Sequence, residues 1–367
     1  MIVRTLSVDF FRNYTHLDVT FDPGINIIVG ENAQGKTNLL EAVSYLSSAS
    51  SHRARYDREL IQFGIDSAFL KAEVFSRQRE FVLEAQLARG ARRQLWSNGV
   101  RLRSAGELSG LLTTVLFCPE DLYLIREGAQ ERRGFLDSCI CQLRPKYAAA
   151  LAEYRRLHEQ KLKILKGWEE KPSLLEALDD YSLRMAQCGA IIIHYRAFFV
   201  KKMQETAPGI HAQCSGNREE LALRYDTVST VKDCYAPVKT IFHQLLEHQE
   251  AHRQAEIEAK SCLTGPHKDD LAIFIDGNQA RTYGSQGQIR TAALALKMAA
   301  REIFYRDTGE WPVLLLDDVL SEMDHRRQEF VLNHITSGQV LITCCEEEKM
   351  ARLKTGRAFR IHGGRLA

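Results

Sequence analysis

Residues 2–10 alternate in the manner of a β-strand, with Ile2, Arg4, Leu6, Val8 and Phe10 interleaved with Val3, Thr5, Ser7 and Asp9. A second strand is expected from Leu17 to Phe21, and Asp22-Pro23-Gly24 reads as a turn. Ile25 to Val29 is a short apolar strand that runs into Gly30, and Thr37 to Leu46 reads as a helix. Residues 66–117 have the pattern of a β-rich meander. Within it Asn98-Gly99 sits between Gln94-Leu95-Trp96 and Val100-Arg101-Leu102, the sequence of a tight hairpin.

From about Glu120 the period changes. Tyr147, Leu151, Tyr154, Leu162 and Leu165 fall on one helical face. Ser173 and Glu176 form a capping box for a further helix. Along that helix Leu178, Tyr181, Met185, Cys188, Ile192, Tyr195 and Phe199 recur at spacings of three and four, and Pro208-Gly209 is expected to stop it. At 1.5 Å per residue it spans roughly 50 Å, as the core helix of a bundle or as a short projecting arm. Strand character returns at Leu221–Tyr225, followed by helix from about Pro237 to Lys260. Strand Asp270–Ile275 ends at the turn Asp276-Gly277-Asn278. Helix Ile289–Tyr305 precedes two apolar strands, Val313–Leu316 and Val340–Thr343. No internal repeat or low-complexity linker interrupts the series, and the pattern is an α/β core split by a helical insertion.

Composition changes this picture little. Apolar residues make up 45% and charged residues 26% of 367, enough for a sizeable core in one large domain with an insertion or in two domains. A net charge of +2 advertises no polyanion partner in bulk, so any nucleic-acid site must be a local patch. The nine cysteines include no CxxC pair, and they read as reduced thiols of a cytosolic protein. The chain opens directly on a strand-like pattern without a signal peptide, and no apolar run approaches the ~18 residues of a membrane span.

The chemistry is concentrated in two places. Gly30, Glu31, Asn32, Ala33, Gln34, Gly35, Lys36 and Thr37 match the phosphate-loop (Walker A) pattern in full, between an apolar strand and a helix. Glycines let the backbone wrap phosphates, and successive N–H groups with the helix N-terminus face the negative charge. Lys36 is expected to reach the β- and γ-phosphates of ATP, the Thr37 hydroxyl to ligate Mg²⁺, and Asn38 to belong to the nucleotide site. Val313 to Leu316 then delivers Asp317 and Asp318 from the end of a buried strand, the Walker B arrangement. Asp317 is expected to hold Mg²⁺ and Asp318 to orient or deprotonate the attacking water, which makes Lys36 and Asp318 the catalytic candidates.

Asp317 follows Thr37 by 280 positions. So large an insertion between the halves of one nucleotide site is the layout of ABC-class heads. Tyr283-Gly284-Ser285-Gln286-Gly287-Gln288, before a helix, resembles the ABC signature motif, with Ser-Gln-Gly-Gln in place of Ser-Gly-Gly-Gln. Ser285, Gly287 and Gln288 would by that resemblance grip the γ-phosphate of ATP held by a second copy, in an ATP-dependent homodimer. Ser321-Glu322-Met323-Asp324 matches the D-loop, and Thr343 stands at the switch position, where many ABC proteins carry His.

Several further stretches resemble the RecF family of ABC/SMC-type ATPases: Phe11-Arg12-Asn13-Tyr14; Ser51-His52-Arg53 with Asp57 and Glu59-Leu60-Ile61; Pro119-Glu120-Asp121-Leu122; Arg132-Arg133 with Phe135-Leu136-Asp137; and Gly265-Pro266-His267-Lys268-Asp269-Asp270-Leu271. They cover nearly the whole chain in the family's order. The resemblance implies a fold of class α/β: an ABC-type P-loop ATPase head, with a mixed sheet core and an antiparallel β lobe, carrying an inserted helical arm domain. Residues 1–119 and 216–367 would form the head and 120–215 the arm. It places Arg12 near the nucleotide. It implies a recombination mediator that binds single-stranded DNA and gapped or junction duplex, acts with RecR and RecO to help RecA load, and hydrolyses ATP slowly, with DNA stimulating the turnover.

Two arginine groups are candidates for DNA: Arg89, Arg92, Arg93, Arg101 and Arg103 around Trp96, and Arg53, Arg55 and Arg58. The bland reading of each, a solvated basic face, stands ahead of the DNA one. No base-reading motif is present, so recognition of backbone and shape is expected. Gly265 to Asp270 reads as a structural turn with a polar network, or as a contribution near the nucleotide or dimer interface, rather than as a metal site. Alternatives are another SMC-like head, the ATP-binding subunit of a membrane transporter, or a structural clamp without useful turnover.

Overall fold

The alternation over residues 2–21 folds as a hairpin of β1 (Ile2–Phe11) and β2 (Tyr14–Thr20), Leu6 opposite Val19 and Val8 opposite Leu17. The computed structural model describes residues 1–319, 323–335, 337–345 and 356–366. The alternation is not kept along β1. A bulge between Val3 and Thr5 shifts the register, so Val3 and then Leu6 and Val8 face the core, and a second break at Phe10, with φ 53°, leaves Phe10 partly exposed and buries Phe11. A bulge adds one residue to one strand and moves every later side chain to the other face.

The chain continues through β3 (Ile25–Val29), α1 (Lys36–Ser48), β4 (Ser67–Ser76), β5 (Arg79–Ala88), β6 (Gln94–Ser97), β7 (Val100–Arg101) and β8 (Thr114–Phe117). Helices α2 (Tyr123–Arg126), α3 (Ala129–Leu143), α4 (Pro145–Gly167) and α5 (Leu178–Ser215) follow. Next come β9 (Leu221–Asp226), α6 (Val238–Ala251), α7 (Arg253–Ala259), β10 (Asp270–Ile275), β11 (Asn278–Gln279) and α8 (Ala280–Tyr283). The remaining elements are α9 (Gln286–Thr308), β12 (Val313–Leu316), α10 (His325–His334), β13 (Val340–Cys344), β14 (Arg357–His362) and β15 (Arg365–Leu366).

Two compact units result. Met1–Leu122, Thr206–Glu219 and Gln286–Ala367 make the first, and Tyr123–Glu205 with Glu220–Ser285 make the second. The first holds two sheets. One has the order β2-β1-β4-β5-β6-β7 and is antiparallel throughout. The other has the order β15-β14-β3-β13-β12-β8, parallel except for β15. Helix α1 supplies Leu39, Leu40, Val43 and Leu46 to the core they share, with Leu6, Leu70 and Leu83 from the antiparallel sheet and Leu315 and Leu341 from the parallel one. Asn98 and Gly99 take φ of 51° and 74°, the left-handed pair a two-residue hairpin needs. The mixed core and antiparallel lobe expected from sequence are both present.

The second unit contains α3, α4, most of α5 and a separate sheet, β11-β10-β9. It differs from the insertion expected at 120–215 by taking in residues 220–285. The reason is pairing: among the described residues β10 pairs with β9 and β11, so its strand partners lie within this unit. Pro208 does not end α5, which runs for 38 residues from Leu178 to Ser215. A proline removes one helical hydrogen bond without forbidding the turns beyond it. The stop comes at Gly216 and Asn217, with φ of 70° and 58°, where the Asn217 N–H returns to the Ala212 carbonyl. None of the nine cysteines is in a disulfide, and no helix among the described residues is long and apolar enough to cross a membrane.

Candidate nucleotide site

In the parallel sheet β3 and β12 are not neighbours; β13 lies between them. The loops leaving the C-terminal ends of three adjacent parallel strands therefore converge, the usual position of a ligand in an open α/β sheet. Residues 30–35 leave β3, Asp317 and Asp318 leave β12, and Thr343 lies near the end of β13.

The loop of residues 30–35 is built for close approach. Gly35 precedes α1 at φ 118°, and a Cβ there would lie 2.8 Å from the Asn13 amide nitrogen and 2.9 Å from the Tyr14 hydroxyl. A Cβ on Gly30 would lie 2.5 Å from the Ile361 carbonyl oxygen. The loop is also held from outside. Asn13 Nδ2 donates to the Gln34 carbonyl at 2.9 Å, Tyr14 Oη to the Gly35 carbonyl at 2.8 Å, and Asn38 Nδ2 to Asn13 Oδ1 at 2.8 Å. From the β14–β15 turn, the Gly363 and Gly364 N–H groups reach Gln34 Oε1 at 2.6 Å and its carbonyl at 3.1 Å. These tethers occupy the Gln34 and Gly35 carbonyls, and the N–H groups at the start of a helix favour an anion.

Lys36 Nζ donates to the carbonyls of Gly30 at 2.6 Å and Glu31 at 2.9 Å, and lies 3.4 Å from Cys345 Sγ. Thr37 Oγ1 donates to Asp317 Oδ1 at 2.9 Å, and Thr343 Oγ1 to the same oxygen at 2.8 Å. The Asp318 N–H donates to Thr343 Oγ1 at 2.8 Å. One hydroxyl on the central strand thus ties both acids of β12 together. Asp317 is 4% exposed and has no lysine or arginine partner among the described residues. Burial pushes its carboxyl above the ordinary 3.8, against the pull of the Thr343 and Thr37 hydroxyls and of His52. A desolvated carboxylate beside a hydroxyl, without a cation, is a donor set fitted to a hard divalent ion such as Mg²⁺. Asp318 has φ 49°, a conformation uncommon for a residue with a side chain.

Arg12, expected beside the nucleotide, forks onto Glu41 of α1 at 2.8 and 2.9 Å and donates to the Glu59 carbonyl at 3.0 Å. Burial works to raise the Glu41 carboxyl, but Arg12 and Ser51 outweigh it and hold it below its ordinary range. Arg12 therefore braces the helix that follows the loop, as Asn13 and Tyr14 brace the loop itself. His52 is a neighbour that sequence reasoning quoted without a role. Crowding by protein lowers its imidazole below 6.5, while the carboxylates of Glu41, Glu120 and Asp317 pull the other way. Cys345 Sγ lies 3.0 Å from Asn32 Oδ1 and 3.9 Å from Asp318 Oδ2. No sequence pattern pointed to it.

The signature stretch is divided. Ser285 is the last residue of the second unit, and Gln286 opens α9 in the first. Gly287 and Gln288 lie in the first turn of α9, where Arg327 Nη2 donates to the Gly287 carbonyl and to Thr291 Oγ1 at 2.9 and 2.8 Å. Asp324 caps α10 by accepting the Arg327 N–H at 3.0 Å and also pairs with its guanidinium. The start of α9 and the end of the D-loop stretch are thereby locked to each other. Ser321 and Glu322 of that stretch lie outside the described residues.

The RecF/RecN/SMC N-terminal domain profile matches residues 2–362. The chain is 36% identical over its full length to the DNA replication and repair protein RecF of Lachnospira eligens, covering 99% of that protein. It is 35% identical, with the same coverage, to the protein of that name from Clostridium perfringens. Among solved structures it is similar to the recombination mediator protein RecF with ATP and with ATPrS in the RecFOR pathway, each at TM-score 0.91 and 33% identity over 100% of this chain and 96–97% of the other. A Pyrococcus furiosus Smc head domain matches at TM-score 0.56 and 16% identity, over 99% of this chain and 94% of that one, and shares the fold.

Proposed function

The chain belongs to the RecF family of DNA replication and repair proteins, with its ABC-type ATPase head, and from that premise we propose that it is an ATP-dependent recombination mediator. Two copies close on ATP, bind gapped or junction DNA, and assist loading of RecA together with RecR and RecO. Slow hydrolysis reopens the pair. The observation that carries this reading is the cluster of Lys36, Thr37, Asp317, Asp318 and Thr343 around the converging strand ends.

In the proposed chemistry Lys36 exchanges its bonds to the Gly30 and Glu31 carbonyls for β- and γ-phosphate oxygens. The N–H groups of residues 31–37 take the remaining phosphate oxygens. Thr37 and Asp317 hold Mg²⁺, which when bound neutralises charge on the phosphates. Asp318, its backbone fixed through Thr343, orients the attacking water. Ser285, Gly287 and Gln288 of the second copy meet the γ-phosphate. Aspartate at 318 is one methylene shorter than the glutamate common in ABC heads, so basal turnover is expected to stay below about 10 s⁻¹, the enzyme median.

DNA is assigned to the two arginine groups. Arg93 donates to Asp57 at 3.1 and 3.2 Å, which ties the loop of residues 89–93 to the segment that carries Arg55 and Arg58. Arg55, Arg58, Arg92, Arg101 and Arg103 are exposed and have no carboxylate within ion-pair distance among the described residues. Exposed Arg156 and Arg224, by contrast, are each paired with an acid. Unpaired cations retain their charge for phosphates, and each phosphate contact contributes about 0.9 to the salt slope of duplex binding.

The test is affinity for gapped DNA with MgATP as salt is varied. Wild type should give a steep log–log plot, and Arg55→Gln with Arg92→Gln should flatten it by about two contacts' worth. Nucleotide-independent or salt-independent binding would overturn the assignment.

A further inference from the structure

Two of the family-like stretches lie outside the nucleotide motifs, residues 132–137 and 265–271, and they meet within the second unit. Arg132 forks onto Asp270 at 2.6 and 2.9 Å. Arg196 of α5 bonds Asp137 at 2.7 and 3.0 Å, the Pro266 carbonyl at 2.8 Å, and Asp269 at 3.4 Å. Beside this network lies a half-open cavity of about 420 Å³, within the range of small-ligand sites.

Its lining is cationic and aromatic: Arg133, Arg155, Arg196, Tyr154, His158 and His267. Arg133 differs from Arg132 and Arg196. It donates to the Asp269 carbonyl at 2.7 Å and has no carboxylate within ion-pair distance among the described residues. Of the acids that line the space, Asp137 is consumed by Arg155, Arg196 and the Tyr147 hydroxyl, and Glu131 is exposed to solvent. The His158 and His267 rings lie 4.4 Å apart, and His267 Nδ1 is engaged by Tyr154 Oη at 2.7 Å. Burial lowers the titration of His158, His267 and Arg133. Lys161 and Lys268 add to the effect at His158; His158, Lys268 and Arg133 add to it at His267; Arg196 adds to it at Arg133. Asp137, Asp269 and Asp270 work against this at Arg133, and Glu256 at His158, so the positive charge offered to a ligand is that of Arg133 and of the largely exposed Arg155.

We propose that this cavity binds a phosphate monoester, either free or at the end of a nucleic-acid strand, on the guanidinium groups of Arg133 and Arg155, with His158 as the ring on which an attached base stacks; Arg155 exchanges its 3.0 Å contact with Asp137 for the phosphate, and Asp137 stays with Arg196 and the Tyr147 hydroxyl. A phosphate monoester carries close to two charges near neutrality and three acceptor oxygens, a match for guanidinium forks. The site is separate from the proposed ATP site and shares no residue with it.

The experiment uses the full chain carrying Lys36→Ala, which weakens the head's own phosphate loop, labelled at histidine and observed by NMR. The probes are inorganic phosphate, AMP, and one oligonucleotide with either a 5′-phosphate or a 5′-hydroxyl. Saturable shifts of the His158 and His267 signals are expected, weakened at least tenfold by Arg133→Gln. Arg155→Gln, altering a side chain that is 65% exposed, gives the same reading should Arg133→Gln not fold. Preference for the 5′-phosphorylated strand supports the strand-end form; binding of phosphate and AMP without that preference supports the free form. No saturable shift with any probe, or shifts indifferent to both substitutions, would overturn the site. DNA affinity of the head is not the readout, so failure here leaves the recombination reading standing.

Discussion

Asp317 and Asp269 are the same residue type in similar depth, one just beyond the end of β12 and the other just before β10, yet their surroundings differ in kind. Asp317 accepts from two hydroxyls and meets no cation among the described residues. Asp269 is held by Arg196 at 3.4 Å, Thr227 at 3.0 Å and the Tyr225 hydroxyl. Burying a charge is costly unless it is paired, so the second arrangement is complete as it stands. The first is the one proposed above to be completed by Mg²⁺. A buried acid left without its cation marks a binding site, and one enclosed by its own arginine marks scaffold.

The largest effect expected from this contrast is on the scaffold side. Arg196→Met leaves Asp269 without its cation in the interior and Asp137 with only Arg155, and should cost about 3–5 kcal/mol in urea unfolding. A loss under 1 kcal/mol would show that the network is not closed in the way described. Asp317→Asn should behave in the opposite sense. Mg²⁺-dependent hydrolysis should fall by about 10²–10³-fold. Stability should hold or rise slightly, because the amide carries no desolvated charge. A destabilised Asp317→Asn protein would erase the distinction between the two acids.

Acid titration sharpens the comparison next. The His267 imidazole is pushed down to about 3 from 6.5, chiefly by burial. It stays neutral in the fold while the unfolded chain takes up a proton, so stability should fall as pH drops below 6.5 toward 3. The slope attributable to this group approaches about 1.4 kcal/mol per pH unit. His267→Gln should flatten that limb; an unchanged slope would place the protonation elsewhere. The smallest effect concerns Thr343→Val, which removes the hydroxyl shared by Asp317 and the Asp318 N–H. Hydrolysis should fall about tenfold with stability reduced by about 1 kcal/mol. Wild-type turnover in this variant would remove Thr343 from the site.

Both regions were only partly legible in the sequence. The phosphate loop and the β12 acids are contiguous, and strand, loop and helix signals surround them in register. Residues that act across the chain left no local signal. Thr343 matters because β13 lies between β3 and β12, a property of strand order. Asn13 and Tyr14 hold the loop through side chains that reach 21 positions along the chain. The β1 bulge buries Val3 rather than Ile2 on the face that Leu6 and Val8 share, and it depends on pairing with β4. Pro208 read as a helix stop because propensity is local, while α5 continues to a glycine-asparagine cap. Residues 220–285 read as a return to the head, since short strands do not announce which sheet they join.

The central claim, that each nucleotide pocket is shared between two copies, is tested most directly by mixing two inactive proteins, Lys36→Ala and Ser285→Arg. A mixed pair restores one pocket with both halves intact, and partial ATP hydrolysis should return on mixing. If both variants fold and associate but the mixture stays inactive, the shared pocket is contradicted.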